Sequence, residues 1–317
     1  MSQLRNGLSI SIPLPTPLPY FCDPTQLPGV LPSADEIEHA EAILPTIRDP
    51  RQDRIVLIRG CFVVKYGTYV TENEGQAILF LAKHTFVPTP PLYAMYYRGA
   101  RLFLIMGHMP GTQLSSVWDG LSGSEKDHIL VQLKSIWTYL RSIPAPALFF
   151  GGVTGGPLRH RFFLWKEADP SITGPFQTEE QLGQALAHRS LKNWEGNLRR
   201  PQTPEFFARH LPKVLSGHPS VLTHGDLQRK NILVEELPPT GFPDGAVTGE
   251  REIIRRFRVS AVLDWEDAGW YPSYWEYAAS FVDFQWHDDW PEKVEKMLDA
   301  YPLEAAMLKL VRQDLDY

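Results

Sequence analysis

Two short apolar, β-branched runs, Ile232–Val234 and Val259–Leu263, flank a polar segment containing Pro and Gly, and this pair constrains the chain more than any other stretch. Each run reads as a buried strand and the segment between them as their connection, which makes a hairpin with a long loop. In an antiparallel pair, the residue entering the first strand and the residue leaving the second lie at the same end of the ladder. Asn231 and Asp264 are therefore expected to be neighbours despite their separation in sequence. One carbonyl oxygen and one carboxylate then face a common point. Such ligands suit Mg²⁺, which takes its remaining ligands from water and phosphate. Asp226 stands five residues before Asn231, in a tight His-Gly-Asp turn. A base there can orient a hydroxyl and receive its proton as it attacks a metal-bound phosphate. Any one of these residues alone would be an ordinary turn or cap. In the order base, ligand, strand, strand, ligand they read as phosphoryl transfer.

HGDLQRKN from His224 to Asn231, followed by VLDWE from Val262 to Glu266, resembles the signature of the aminoglycoside phosphotransferase and choline-kinase-like family, distant relatives of protein kinases, and most of all its branch common in fungi. The resemblance implies an α+β, bilobal protein-kinase-like fold with a small β-rich N-terminal lobe and a larger, mainly helical C-terminal lobe. It implies ATP and Mg²⁺ as cofactors and a small molecule with a hydroxyl as acceptor. It makes Asp226 the catalytic base, Asn231 and Asp264 the metal ligands, and His224 a brace of the turn. Where protein kinases carry Asp-Phe-Gly, this chain has Asp264, Trp265 and Glu266, as the fungal branch also does.

From Arg54 the chain reads RIVLI, a turn at Gly60, then FVVKYG, two short strands joined tightly. Lys65 lies in the second of them among apolar neighbours. It is either a solvent-facing edge lysine or, by the resemblance, the strand lysine that holds the α- and β-phosphates of ATP. Such a lysine needs a carboxylate partner. Thr71 opens a helix and Glu74 stands three residues later, so Glu74 could close a capping box onto the Thr71 backbone. Glu74, Ile78 and Leu81 also recur at i, i+4 and i+7, which turns Glu74 inward. The resemblance assigns it as the partner of Lys65, with Glu72 as the fallback. PPLYAMYYRG and ARLFLIMGHMPG form a second hairpin around Gly99, which completes a sheet of about four or five strands. By the resemblance, Met106, Gly107, His108 and Met109 are the hinge whose backbone groups meet the adenine edge. No GxGxxG loop precedes Lys65. Only Arg59 and Gly60 turn the corner, so the phosphate cover familiar from protein kinases is shortened or supplied otherwise.

Residues 1–32 are Pro-rich without helical or strand period and read as an extended leader that drapes over the domain or stays mobile. An N-terminal nucleotide-binding lobe is expected over 33–109 and a catalytic, substrate-binding lobe over 110–317. Ser33 and Glu36 form a capping box for a short helix carrying Ile37, Ala40 and Leu44. Ser124 caps a helix whose Ile129, Leu133, Ile136 and Leu140 form a core stripe ending at Pro144. FFGGVTGGPLRHRFF lacks the strand-to-helix setting of a phosphate loop and reads as a structural loop. Thr178 with Gln181, and Thr203 with Pro204, start two further helices. The resemblance places substrate-binding structure in this region. Glu276, Asp283, Asp288 and Asp289 form either an acidic wall for a cationic substrate or a solvated face. Trp265, Trp270, Tyr271, Trp275 and Trp286 read as core, with an aromatic box for an ammonium group as the alternative. After Asp264 the chain shows no activation segment or Ala-Pro-Glu anchor, which argues against a protein substrate.

The chain's 317 residues, 43% of them hydrophobic, suffice for two lobes with a filled core. A net charge of −6 argues against nucleic acid as partner. Cys22 and Cys61 give neither a disulfide framework nor a metal-ligand spacing, consistent with a reducing compartment. The first residues do not read as a signal peptide, and no run is long and uncharged enough to cross a membrane. The cytosol is the expected location. The rival readings are a catalytically silent pseudokinase or nucleotide-binding module and, further off, a protein kinase.

Overall fold

The computed structural model describes residues 10–45, 52–166, 169–195, 202–238, 255–282 and 288–315. Its N-terminal part comprises β1 (Tyr20–Phe21), α1 (Ala34–Glu38), β2 (Asp53–Ile58), β3 (Phe62–Gly67), α2 (Glu72–His84), β4 (Leu92–Arg98) and β5 (Arg101–Gly107). The strands form one antiparallel sheet in the order β1-β4-β5-β3-β2. Side chains alternate across a strand, and this sheet is buried on both sides. Leu102, Leu104 and Met106 pack with Ile78 and Leu81 of α2. Phe103 and Ile105 pack with Phe62, Val64 and Ile37 beneath the leader and α1. Lys65, between Val64 and Tyr66, consequently points to the α2 side. Arg59 and Gly60, which join β2 to β3, both have positive φ, 51° and 69°, as a tight hairpin turn requires.

The leader drapes over the domain and supplies β1, the fifth strand. Thr16 is tied to Gln76 of α2 by two hydrogen bonds of 2.8 and 2.9 Å, and Ile10 bridges to Pro146 in the C-terminal part. Ser33 caps α1 by accepting from the Glu36 N–H at 3.2 Å, but the helix stops at Glu38 rather than running on to Leu44. The unpaired edge of β2 takes the next residues instead, with Leu44 N–H donating to Ile55 and Leu57 N–H to Ala42, both at 2.8 Å. The Glu36 carboxylate is drawn away to Arg59 at 2.7 Å.

The C-terminal part contains β6 (Thr112–Gln113), α3 (Leu114–Val117), α4 (Gly123–Ser142), β7 (Gly151–Gly152), α5 (Pro170–Thr173), α6 (Glu179–Asn193), α7 (Thr203–Val214), β8 (Ser220–Thr223), β9 (Ile232–Leu237), β10 (Arg256–Val262), β11 (Gly269–Pro272), α8 (Trp275–Val282), α9 (Trp290–Met297) and α10 (Pro302–Leu315). The expected hairpin is β9–β10, paired antiparallel from Ile232 opposite Val262 to Leu237 opposite Arg256. Part of its connection, 239–254, lies outside the described residues. The cap of α4 is Ser122, not Ser124. Ser122 Oγ accepts from Glu125 N–H at 3.3 Å and Glu125 Oε2 accepts from Ser122 N–H at 2.8 Å, a complete capping box two residues earlier. Ile129, Leu133 and Leu140 of α4 are buried as expected, with Trp137 completing the stripe. Thr178 caps α6 at Gln181 N–H, 3.2 Å. Trp265, Trp270, Tyr271 and Trp275 are fully buried and belong to the core, while Trp286 lies outside the described residues. Among the described residues no helix is long and apolar enough to cross a membrane.

Candidate active site

The two parts meet at a cavity of about 1890 Å³, lined by Lys65, Glu74, Met106 to Met109, Asp226, Asn231 and Asp264 among others. The hairpin brings its end residues together as its register dictates. Leu263 N–H donates to the Asn231 carbonyl at 2.7 Å, and Asp264 is the next residue. Asp264 has a left-handed backbone, φ 62° and ψ 60°. That conformation costs a non-glycine residue on the order of 1 kcal/mol and is held from several sides. Trp265 Nε1–H donates to the Val262 carbonyl at 2.8 Å. Asn73 of α2 donates to the carbonyls of Glu266 and Ala268, each at 2.8 Å.

The turn that carries Asp226 is fixed from below. Asp226 N–H donates to His224 Nδ1 at 3.1 Å, so Nε2 bears the proton and donates to the Leu263 carbonyl at 2.8 Å. Glu276 of α8, fully enclosed, accepts from His224 N–H at 2.7 Å and from Gly225 N–H at 3.3 Å. The Asp226 carboxylate is gripped by its own loop. Oδ1 accepts from Gln228 Nε2 at 2.5 Å and Oδ2 from Asn231 Nδ2 at 2.8 Å. With Nδ2 committed to Asp226, the amide oxygen of Asn231 faces away from that carboxylate. That oxygen and the Asp264 carboxylate are hard donors of the type Mg²⁺ takes, and both residues line the cavity.

Lys65 meets Glu74 rather than Glu72. Its ammonium lies 2.8 Å from Glu74 Oε2, 2.9 Å from Asp264 Oδ1 and 3.0 Å from Glu266 Oε2. Thr71 makes no side-chain cap, so the alternative in which Glu74 closes a capping box is not the one adopted. The oxygens of Glu74, Asp264 and Glu266 lie within 4.8 Å of one another, and the ammonium is their counter-ion. Burial alone would lower the Lys65 pKa, but the three carboxylates overcome it and hold Lys65 charged well above its usual range. Burial pushes Glu74 up to about 7, Lys65 opposing and the two neighbouring acids adding. Burial would raise Asp264 as well, but Lys65 outweighs it and keeps that carboxyl low.

In the segment Met106–Met109, Gly107 N–H donates to the Pro91 carbonyl and His108 N–H to the Cys61 carbonyl, each at 2.9 Å. Met109 N–H makes no such bond among the described residues.

Three expectations are revised. Glu276 is a buried brace of the His224 turn. Asp288 is paired with Arg229, and Asp289 with Lys126 at 3.0 Å and Trp118 Nε1 at 2.7 Å. Each described member of this acidic group thus serves a protein group, and Glu276 is part of neither a wall nor a solvated face; Asp283 lies outside the described residues. Helices α5 to α7 do not line the cavity. The Gly-rich segment does, through Thr154, Gly156, Pro157 and Arg159, with Gly151 and Gly152 pairing to β11. Sequence reasoning passed over Glu266 and Asp267 as site residues, although the acidic run directly after Asp264 was the available signal. Burial, then the charges of Glu266, Asp226 and Asp264, lifts the Asp267 carboxyl well above the carboxylate range.

Among solved structures, the chain is similar to the crystal structure of aminoglycoside phosphotransferase APH(2'')-Ib, ADP-bound, with a TM-score of 0.53 at 16% identity, covering 89% of this chain and 85% of that one. It is also similar to the streptomycin-ATP-APH(2")-IIa ternary complex, with a TM-score of 0.48 at 15% identity, covering 79% and 76%. No curated protein sequence matches it. The first likeness is one of fold, an α+β, kinase-like arrangement with a β-sheet N-terminal part and a helical C-terminal part. The phosphotransferase enzyme family profile matches residues 70–244, more than half of the 317, and the chain belongs to that family.

Proposed function

We propose that the chain transfers the γ-phosphate of ATP, with Mg²⁺, to a hydroxyl of a small molecule. The observation that carries this reading is the convergence of Lys65, Asp226, Asn231 and Asp264 on one cavity from separate stretches of chain. Asp226 receives the hydroxyl proton as the acceptor oxygen attacks the γ-phosphorus. The bond to the bridging oxygen breaks, and its electron pair stays on ADP. Each carboxylate oxygen of Asp226 keeps a lone pair beyond its one close hydrogen bond, so the acceptor can be oriented without releasing the loop. Lys65, steadied by Glu74, pairs with the α- and β-phosphates, and the Met109 N–H with the adenine edge. Mg²⁺, held by Asn231 and Asp264, would neutralise phosphate charge when bound.

A small acceptor is supported by the path of the chain beyond Asp264. The short turn Trp265–Asp267 runs directly into β11 and α8, which leaves no segment of the kind that docks a protein substrate.

The test is ADP release from ATP across a panel of hydroxyl compounds, aminoglycosides included, with Asp226→Ala alongside. Turnover with at least one compound, abolished in the variant while nucleotide binding persists, is the expected result. Thermal stabilisation by nucleotide with no turnover on any compound would favour a nucleotide-binding module. Undiminished turnover by the variant would remove Asp226 from its role.

A further inference from the structure

We propose that Lys230 is a catalytic residue whose ammonium contacts the phosphoryl group in flight. The proposal rests on the phosphoryl-transfer reading above.

Transfer spreads negative charge over three equatorial oxygens, and catalysis consists of positioning and neutralising that charge. Asp226, Asp264, Glu266 and Asp267 all line the cavity, and of its cations Arg159 and Arg161 come from the Gly-rich segment rather than from the catalytic turn. Lys65 is already shared among three carboxylates, all within 3.0 Å. Arg229, next in the loop, is turned aside. It lies 5.5 Å from the Trp118 ring and 5.6 Å from the Trp290 ring, and it pairs with Asp288. The corner before Lys65 is the tight Arg59–Gly60 turn, not a glycine-rich loop.

Lys230 is placed differently. Its side chain is 38% exposed, it lines the cavity, and its acidic neighbour is Asp226 Oδ2 at 3.5 Å. That spacing is too long for a strong hydrogen bond. The Asp226 carboxylate does not depend on it, since Gln228 and Asn231 grip the two oxygens at 2.5 and 2.8 Å. The backbone beneath Lys230 is fixed by Asn231 N–H donating to the Gln228 carbonyl at 3.0 Å. A cation with a fixed backbone, an ammonium engaged only by the long Asp226 pairing and a position beside the proton acceptor stands where the incoming oxygen and the phosphorus meet. It exchanges no proton and forms no bond. The proton goes to Asp226 and the leaving electron pair to ADP.

The test uses ADP and Mg²⁺ with and without aluminium fluoride, a mimic of the phosphoryl group in transit, so it needs no acceptor. Affinities are measured by calorimetry for the full-length chain, Lys230→Met and Lys230→Arg, after thermal melting establishes that each folds. The unaltered chain is expected to bind ADP more tightly with the fluoride. Lys230→Met is expected to keep ADP affinity within about threefold and to lose about 10- to 100-fold of the tightening, the worth of one charge-assisted hydrogen bond. Lys230→Arg is expected to retain most of it. Equal tightening in Lys230→Met overturns the proposal alone. So does an equal loss of ADP affinity without fluoride, which would make Lys230 a ground-state binder, and so does absence of tightening in the unaltered chain. No ADP binding by the unaltered chain overturns the parent reading and this one with it.

Discussion

His224 Nε2 donates to the Leu263 carbonyl at 2.8 Å, which fastens the turn bearing Asp226 to the residue just before Asp264. One imidazole thus sets the spacing between Asp226 and the strand end. His224→Ala strands the Asp226 N–H and the Leu263 carbonyl and leaves a gap against Trp265. A loss of about 3 kcal/mol is expected in urea unfolding, together with a fall in turnover larger than any change in nucleotide affinity.

Lys65 is the counter-ion of one buried acid, Glu74, and two half-buried ones, Asp264 and Glu266. Lys65→Met leaves them facing one another with no cation, and a loss of about 3–5 kcal/mol is expected in the nucleotide-free protein, as for other broken buried pairs. Glu74→Gln removes one acid and keeps two, so it is expected to cost less. Chemical denaturation of both variants would check the order.

Asp264→Asn removes a charged oxygen from the set facing the cavity. ATP binding titrated against Mg²⁺ is expected to shift to higher metal concentration while Mg²⁺-independent binding changes little. An unmoved metal titration would count against Asp264 as a ligand.

Gly225 has φ 90°, and a Cβ there would meet Asp267 Cβ at 2.9 Å and its carbonyl oxygen at 3.0 Å. Gly225→Ala therefore combines a backbone L-residues avoid with a contact against main chain that cannot yield. A loss of about 2–4 kcal/mol is expected, readable in thermal melting.

His160 is buried against Phe162 and Trp275. Burial, with Arg161 and Arg312 adding, lowers its pKa to about 3. The folded chain thus keeps this ring neutral while the unfolded chain takes up a proton near the ordinary histidine pKa. The stabilisation is present at neutral pH and is lost as pH falls below about 6.5 towards 3. Between about pH 7 and about pH 5 the unaltered chain is expected to lose about 2 kcal/mol relative to His160→Phe, measured by urea unfolding at each pH.

Much of this was legible because it is governed by local pattern. The β9–β10 pairing comes from two apolar runs, and the neighbourhood of Asn231 and Asp264 from ladder geometry alone. The inward turn of Glu74 comes from helical spacing with Ile78 and Leu81. What escaped depends on partners remote in sequence. Glu276 looks like a surface acid until α8 is seen packed under the His224 turn. Leu44 continues a helical period, yet the open edge of β2 claims it. Ser122 and Ser124 are both competent caps, and the choice falls to the one with Glu125 three residues on. Tyr20 and Phe21 carry no strand period of their own and pair because β4 offers an edge.

The leader touches both halves of the molecule: Ile10 against Pro146, Thr16 on Gln76 and Tyr20 opposite Met95. Tethered at these points, the leader couples the placement of the two parts: any displacement of one against the other has to strain or break the contacts at Pro146 or on α2.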